Sequence, residues 1–362
     1  MKRARVNIVV MSHPNSGYSM VKTSKMIKQC VQEFTGNNIF LIPFGTLSSK
    51  NSKKKYKKYL RYLELYIIFP FQIVYCRLLY SIERILIVDH SDAIHLFYFK
   101  KNMATTIVHD QFAYLAAQSK IPGVRVKILG RMYQALIHKG LRRSRKLLSV
   151  SEFTRRNLIE LKFTQEIQVL NLTWNPWSPG ELNQELKTEL PDKYAILVSP
   201  DSWRKNRPFA INCILELRKF PQLESLQLII VGDALSSLEL SEINSTHLDF
   251  IIFMAAITDQ ELKLLYEKSK FCIVTSRYEG YGLPILEANS LGVPCLHNEL
   301  PSFMEITNDQ NVILNDKLES NDWPSIAIKV SNFASSQQLS ANTEFKFGFE
   351  IFKSRLNLEY FL

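Results

Sequence analysis

Glu279 and Glu287 stand at the two ends of one short stretch, with Gly280-Tyr281-Gly282-Leu283-Pro284-Ile285-Leu286 between them. Gly280 and Gly282 lack a Cβ, so the main chain there can approach a ligand closely. Pro284 suits the first turn of a helix running on through Ala288. The orphan amides and positive dipole end of such a helix favour an anion, and a diphosphate fits that demand. Glu287 lies one turn in. Helical side chains lean toward the N-terminus, so its carboxylate can reach back over the loop and accept two hydroxyl hydrogen bonds, the pair that a ribose offers. A sugar nucleotide is therefore the ligand this chemistry suits. A glycine turn alone, or a glutamate favoured by the helix dipole alone, has an ordinary structural reading as well.

Other reactive side chains follow apolar runs of strand length, and in open α/β sheets ligands sit beyond the carboxyl ends of strands. After Tyr194–Val198 comes Ser199-Pro200-Asp201-Ser202-Trp203-Arg204-Lys205-Asn206, which puts two cations and an amide at a strand mouth. They could neutralise a diphosphate leaving group, although a solvated basic loop explains the segment equally well. Thr106-Ile107-Val108-His109-Asp110 ends a strand with an imidazole beside a carboxylate. Ser149-Val150-Ser151-Glu152 ends another, where the serines suit helix caps.

The elements that must position these residues form a repeating scheme. Val6–Met11, Ile39–Pro43, Ile85–Asp89, Thr105–Val108 and Leu147–Ser151 read as strands in the first half. Tyr194–Val198, Leu226–Val231, Phe250–Phe253, Phe271–Thr275, Val293–His297 and Val312–Leu314 read as strands in the second. Continuous apolar strands alternating with helices imply parallel sheets buried on both faces, hence two doubly wound α/β, Rossmann-like domains. Their expected bounds are 1–175 and 193–344. Between them, 176–192 is a turn-rich linker and candidate hinge beginning in Trp174-Asn175-Pro176-Trp177. Phe349, Phe352, Leu356 and Tyr360 fall at near-helical spacing in a terminal helix, 345–362, whose ordinary role is packing.

Charge separates the two halves. Residues 1–150 hold 26 Lys and Arg against 6 Asp and Glu, while the rest of the chain is net acidic and the whole carries +11. Such a cationic body suits a polyanion. Lys53-Lys54-Lys55 and Lys57-Lys58 run into aromatic and aliphatic residues up to Phe71, a mixture suited to an anionic membrane surface. Arg142-Arg143-Ser144-Arg145-Lys146 forms a second basic cluster with His138-Lys139. A solvated basic loop before an ordinary buried helix is the competing reading of either cluster alone. No apolar run reaches bilayer-spanning length, and Met1-Lys2-Arg3 leads into a strand, so the expected location is cytoplasmic and peripheral to the membrane. Cys30, Cys76, Cys213, Cys272 and Cys295 are scattered and read as reduced core thiols. No Asp-x-Asp stands at a strand end, so no metal and no other cofactor is expected.

Ser276-Arg277-Tyr278-Glu279-Gly280-Tyr281-Gly282-Leu283-Pro284, with Glu287-Ala288 and Gly292-Val293-Pro294, closely resembles the signature of the family 4 retaining glycosyltransferases. The resemblance implies a GT-B fold, two Rossmann-like domains facing a cleft, with the terminal helix crossing back to the N-terminal domain. It also implies roles. Lys205 falls on the donor phosphates with Arg204 its helper, and Glu279 contacts the donor sugar near the reacting carbon. Gly280, Tyr281, Gly282 and Leu283 hold sugar and phosphate, and Glu287 the ribose. His109 orients the sugar. Ala255 stands where the family often has a glycine beside the base. The usually glycine-rich N-terminal loop keeps one glycine here, Gly17, in Ser12-His13-Pro14-Asn15-Ser16-Gly17, a departure that weakens the phosphate role of that loop.

The implied reaction is metal-independent hexosyl transfer with retention, from a nucleotide-sugar donor to a glycan or lipid-linked acceptor in cell-surface polysaccharide or lipopolysaccharide assembly. GDP-mannose is preferred over a UDP-sugar, because the Tyr-Glu-Gly-Tyr-Gly-Leu-Pro form looks like that of many polysaccharide mannosyltransferases. Two readings from other classes compete. A non-catalytic, membrane-associated partner with a decayed site would fit the missing N-terminal glycines. A nucleic-acid binder would fit the charge, but no recognised binding module accompanies it. A phosphorylase of the same architecture is disfavoured because nothing marks a cofactor lysine.

Overall fold

The computed structural model describes residues 3–14, 16–34, 36–43, 60, 63–173, 190–200, 202–245, 247–315, 318–333 and 348–361. The chain divides into two compact units, Met1–Asn175 with Phe349–Leu362, and Pro176–Gly348. Each carries a six-stranded sheet in which every pairing is parallel. The lysine run at 53–58, Asp201 and most of the expected linker lie outside the described residues.

The first unit runs β1 (Arg5–Val10), α1 (Tyr18–Gln32), β2 (Asn38–Leu41), a π-helical turn (Glu64–Ile68) continuous with α2 (Phe69–Leu79), and β3 (Ser81–Ile87). A 3-10 stretch (His90–Tyr98), β4 (Ala104–Val108), α3 (Phe112–Ala117), α4 (Ile128–Leu141), β5 (Lys146–Ser149), α5 (Glu152–Glu160) and β6 (Glu166–Val169) follow. The strand order is β2-β1-β3-β4-β5-β6. Right-handed crossovers put α2, the 3-10 stretch, α4 and α5 on one face. Phe69, Ile73, Leu96, Ile137 and Leu158 from these elements close on Ile8, Ile85 and Leu147 of the strands in one core.

The second unit runs β7 (Tyr194–Val198), a 3-10 turn (Trp203–Lys205), α6 (Arg207–Leu217), β8 (Gln227–Val231), α7 (Ser237–Ser241), β9 (Ile251–Met254) and α8 (Asp259–Lys268). It continues through β10 (Phe271–Val274), α9 (Leu283–Ser290), β11 (Cys295–Asn298), α10 (Pro301–Met304), β12 (Val312–Leu314) and α11 (Trp323–Ser331). The order β12-β11-β10-β7-β8-β9 places a topological switch point between β7 and β10. Capping boxes start two helices, Ser236 with Glu239 for α7 and Thr258 with Glu261 for α8.

The terminal helix α12 (Phe349–Phe361) packs on the first unit, as the resemblance implied. Phe352, Leu356 and Tyr360 are buried, and the Tyr360 carbonyl accepts from Arg84 Nη1 at 3.1 Å. Glu359 meets Lys146 Nζ at 2.7 Å, and Lys353 pairs with Glu33, the C-cap of α1. All five cysteines are free and buried.

In the second basic cluster Lys139, Arg142 and Arg145 are exposed, while several of its side chains also hold neighbouring loops. Arg142 donates to the carbonyls of Leu161 and Lys162 at 2.9 and 2.8 Å, and Arg143 to those of Leu96 and Phe99 at 3.0 and 2.9 Å. Lys146 lies between Glu166 and Glu359. His138 is buried and stacks on Tyr114, ring centroids 3.7 Å apart. These cations stitch loops to the sheet.

Candidate functional site

Two loops at the carboxyl ends of the second sheet build the site. After β7, the 3-10 turn ends at Asn206, whose left-handed φ of +51° turns the chain into α6. That turn presents Lys205. After β10, Ser276–Gly282 leads to α9, with Gly282 as its N-cap at φ +112°. The two loops are tied together: the Arg277 amide donates to the Arg204 carbonyl at 2.7 Å, and Thr275 Oγ1 to the Asn206 carbonyl at 3.1 Å. Across the switch point, Lys205 Nζ lies 3.1 Å from Glu279 Oε2, both side chains largely buried. The two residues singled out for phosphate and sugar are thus one ion pair.

The loop is braced from behind. Ser302 Oγ donates to the Glu279 carbonyl at 2.7 Å, and Asn298 Nδ2 to the Ser276 carbonyl at 2.8 Å. A Cβ on Gly282 would stand 2.9 Å from the Phe303 ring and from Ile306 Cδ1, so both the positive φ and the close packing require glycine. The Gly282 and Leu283 amides have no hydrogen-bond partner among the described residues, and Pro284 has no N–H to compete. Two adjacent donors at a helix start are therefore left for an anion.

Glu287 sits one turn into α9 as expected, yet it is 7% exposed. Its Oε2 accepts the Tyr266 hydroxyl of α8 at 3.1 Å. Burial, and then the Glu287 charge, push the Tyr266 phenol well above its usual range, so it stays a donor. The bond orients the carboxylate and occupies one of its oxygens. Tyr281 is 3% exposed and packs the loop. Gly280 is buried and Arg204 half-buried.

Ala255 is exposed beyond β9, and its neighbour Ala256 takes a left-handed φ of +56°. That conformation suits glycine, so this chain pays a local strain where Ala256 stands. The remaining candidates belong to the first unit. His109 directly follows β4, is buried, and donates Nε2–H to the Val88 carbonyl at 2.9 Å. Burial holds its pKa below the ordinary value, so the ring is neutral with Nδ1 as its lone-pair nitrogen. Asp110 caps the next turn through the Phe112 amide at 3.0 Å. Gly17 is the N-cap of α1 with nothing within 4 Å of a Cβ built on it, so packing does not demand glycine there.

Sequence reasoning passed over several supports. Gly232, directly after β8, would place a Cβ 2.2 Å from the Ser199 carbonyl oxygen; a glycine closing a continuous apolar run was the available signal. Arg207 is fully buried and pairs bidentately with Glu239, at 2.7 and 2.5 Å, while donating to the Asp233 carbonyl at 2.6 Å. It fixes the loop after β8. His13 Nε2 lies 3.0 Å from Glu64 Oε2, both buried, joining the loop after β1 to the π-helical turn. Among the described residues no group of three or more His, Cys, Asp or Glu could hold a metal ion.

Residues 181–343 match the family model described as glycosyl transferases group 1. An O-antigen chain mannosyltransferase B of Escherichia coli is 28% identical over 200 residues, 51% of each chain. The O-antigen chain mannosyltransferase RfbU of Salmonella typhimurium is 25% identical over 228 residues, 62% of this chain and 60% of that one. The matches thus span between half and two thirds of these relatives. Among solved structures, sucrose-phosphate synthase from Thermosynechococcus elongatus superposes with TM-score 0.65 at 13% identity, covering 99% and 98% of the two chains. WaaG, a glycosyltransferase involved in lipopolysaccharide biosynthesis, gives 0.65 at 11%, covering 98% and 99%. Anabaena HepE in complex with UDP and glucose gives 0.65 at 14%, covering 98% of each. The fold is that of the GT-B glycosyltransferases, and the span matching the group 1 model is the one that carries Lys205, Glu279 and Glu287.

Proposed function

We propose that the protein transfers a hexose, with retention and without a metal, from a nucleotide-sugar to a lipid-linked glycan of the O-antigen kind at an anionic membrane surface. GDP-mannose is the preferred donor, in keeping with the two mannosyltransferases it resembles. The observation that carries this reading is the cluster at the switch point: the Lys205–Glu279 pair beside the unpartnered amides of Gly282 and Leu283, with Glu287 one turn further on. Diphosphate oxygens would take Lys205 and the two amides. The Glu287 carboxylate, one turn into the helix, would take a ribose hydroxyl.

In the transfer, the bond between the anomeric carbon and the diphosphate oxygen breaks and the diphosphate leaves with the electron pair. The acceptor oxygen attacks from the same face, and its proton passes to the departing diphosphate. Lys205 and the helix amides stabilise the charge that develops on the leaving group, the kind of preorganised electrostatic help that dominates such steps. Glu279, released from Lys205 by the phosphates, would steady the positive charge at the sugar.

The test is a thermal-shift series with UDP, GDP and ADP on wild type and Glu287→Ala. A ligand about 100-fold above its dissociation constant adds roughly 2.7 kcal/mol. A shift with GDP that the variant loses supports the reading. A shift with UDP alone keeps the transfer and replaces the donor. No shift with any nucleotide sinks it in favour of a decayed, non-catalytic partner.

A further inference from the structure

The amino ends of the first sheet hold a second candidate site, at the edge opposite His109. A depression of about 530 Å³ opens there between the starts of β1, β3 and β4 and the end of α2. Arg3, Arg5, Arg77 and Lys100 line it, and among the described residues no carboxylate does. Lys100 has no hydrogen-bond or ion-pair partner among the described residues. Arg3 Nη1 donates to the Arg77 carbonyl at 3.1 Å, and Arg77 Nη1 to the Tyr98 carbonyl at 2.5 Å, which hold these two guanidinium groups in place without neutralising them. Arg5 pairs with Glu83 at 3.2 Å, an exposed contact that an anion can replace. Three guanidinium groups and an ammonium lining the depression match a phosphate group, and its volume leaves room for the rest of a headgroup.

The surface beside the depression says which phosphate. Arg77 belongs to α2, whose outward face carries Phe71, Val74, Tyr75 and Leu78, at 71%, 41%, 63% and 61% exposure. Positions 71, 74, 75 and 78 form one helical stripe, and the buried Phe69, Ile73 and Cys76 form the other. A large exposed apolar stripe against a cationic rim marks a membrane contact better than a soluble ligand site.

We propose that this depression binds the phosphate headgroup of an anionic phospholipid while the α2 stripe enters the bilayer surface. The site deepens the membrane partner proposed above and rests on that part of the reading alone. Nucleotide binding by the second unit is separate from it.

Co-sedimentation with vesicles of phosphatidylcholine, alone or mixed with phosphatidylglycerol, tests it on wild type, Arg3→Gln/Arg5→Gln/Lys100→Gln and Tyr75→Ser/Leu78→Ser. The expected result is binding only to the mixed vesicles, weakened about ten-fold or more by either variant, since each basic residue near an anionic leaflet contributes substantially. The replaced side chains are surface groups; unchanged circular dichroism and melting curves in both variants confirm folding, while the GDP shift reports independently on the donor reading. Equal binding of the triple glutamine variant, equal binding to phosphatidylcholine alone, or full competition by free glycerol phosphate would each overturn the proposal. The last outcome would make the depression a soluble-phosphate site.

Discussion

Lys205 and Glu279, 74 positions apart, form an ion pair across the switch point of the second sheet. With both side chains at 12% and 15% exposure, each neutralises the other while the site holds no anion. A donor diphosphate would compete for the ammonium and free the carboxylate at the moment the sugar arrives. Lys205→Ala should lower turnover by about 10² to 10³, the loss typical for one charge-stabilising donor. Glu279→Gln keeps the geometry and removes the charge, so it should lower kcat with nucleotide affinity unchanged or tighter, because Lys205 loses its competitor. Donor consumption and nucleotide titration on the two variants separate these effects. A Glu279→Gln protein with full turnover would remove Glu279 from the chemistry.

The Tyr266 hydroxyl aims Glu287. Tyr266→Phe removes the bond and keeps the ring, so the carboxylate loses its orientation while the core stays filled. A neutral hydrogen bond is worth about 1 kcal/mol and one to a charged group more, which predicts nucleotide binding weaker by about five- to ten-fold. Calorimetric titration of GDP measures it. Unchanged affinity would mean that Glu287 is positioned by the helix alone.

All eleven strands expected from apolar runs are present, because parallel strands buried on both faces must be continuously apolar. β6 was not legible. Glu166–Val169 sits at a sheet edge, pairs only with β5, and alternates polar with apolar residues. β3 begins at Ser81, ahead of its apolar run at Ile85, for the same reason: its first residues lie at the rim. At the site, the loop and helix around Gly282 were readable because glycine, proline and glutamate have local meanings. Tyr266, Ser302 and the Arg207–Glu239 pair were not, since each acts through a partner far along the chain. Nor could sequence show that donors of the basic cluster around Arg142 meet carbonyls of distant loops.

Gly282 combines a φ of +112° with a crowded Cβ position. Gly282→Ala therefore meets backbone strain and a clash with Phe303 together, a loss of about 1 to 3 kcal/mol. At roughly 2–4 °C per kcal/mol for a unit of this size, the melting temperature should fall by about 2–12 °C. The nucleotide shift should vanish as well, because the Gly282 and Leu283 amides move with the helix start. Gly17→Ala is the control, since its Cβ meets nothing within 4 Å and φ is −53°. Equal melting temperatures for the two variants would show the α9 turn to be tolerant.

Stability of the first unit should fall as pH drops from the ordinary histidine value toward about 4. Burial pushes His95 and His138 down to about 4, with Arg142 adding to the effect at His138, and their Nε2 atoms have no hydrogen-bond partner in the described structure. Both rings are therefore neutral in the folded chain. Above pH 6.5, the ordinary histidine value, folded and unfolded states bind the same number of protons at these sites. Between 6.5 and about 4 the unfolded state binds more, so stability is lost as pH falls through this window, then levels off once the folded rings protonate. The loss per histidine is on the order of 2–3 kcal/mol across the window. His138→Phe keeps a flat ring between Tyr114 and Phe163 while removing the titrating nitrogen. Urea unfolding at a series of pH values should show a shallower decline for this variant than for wild type. Parallel curves would mean that His138 ionises in the folded state near its ordinary value.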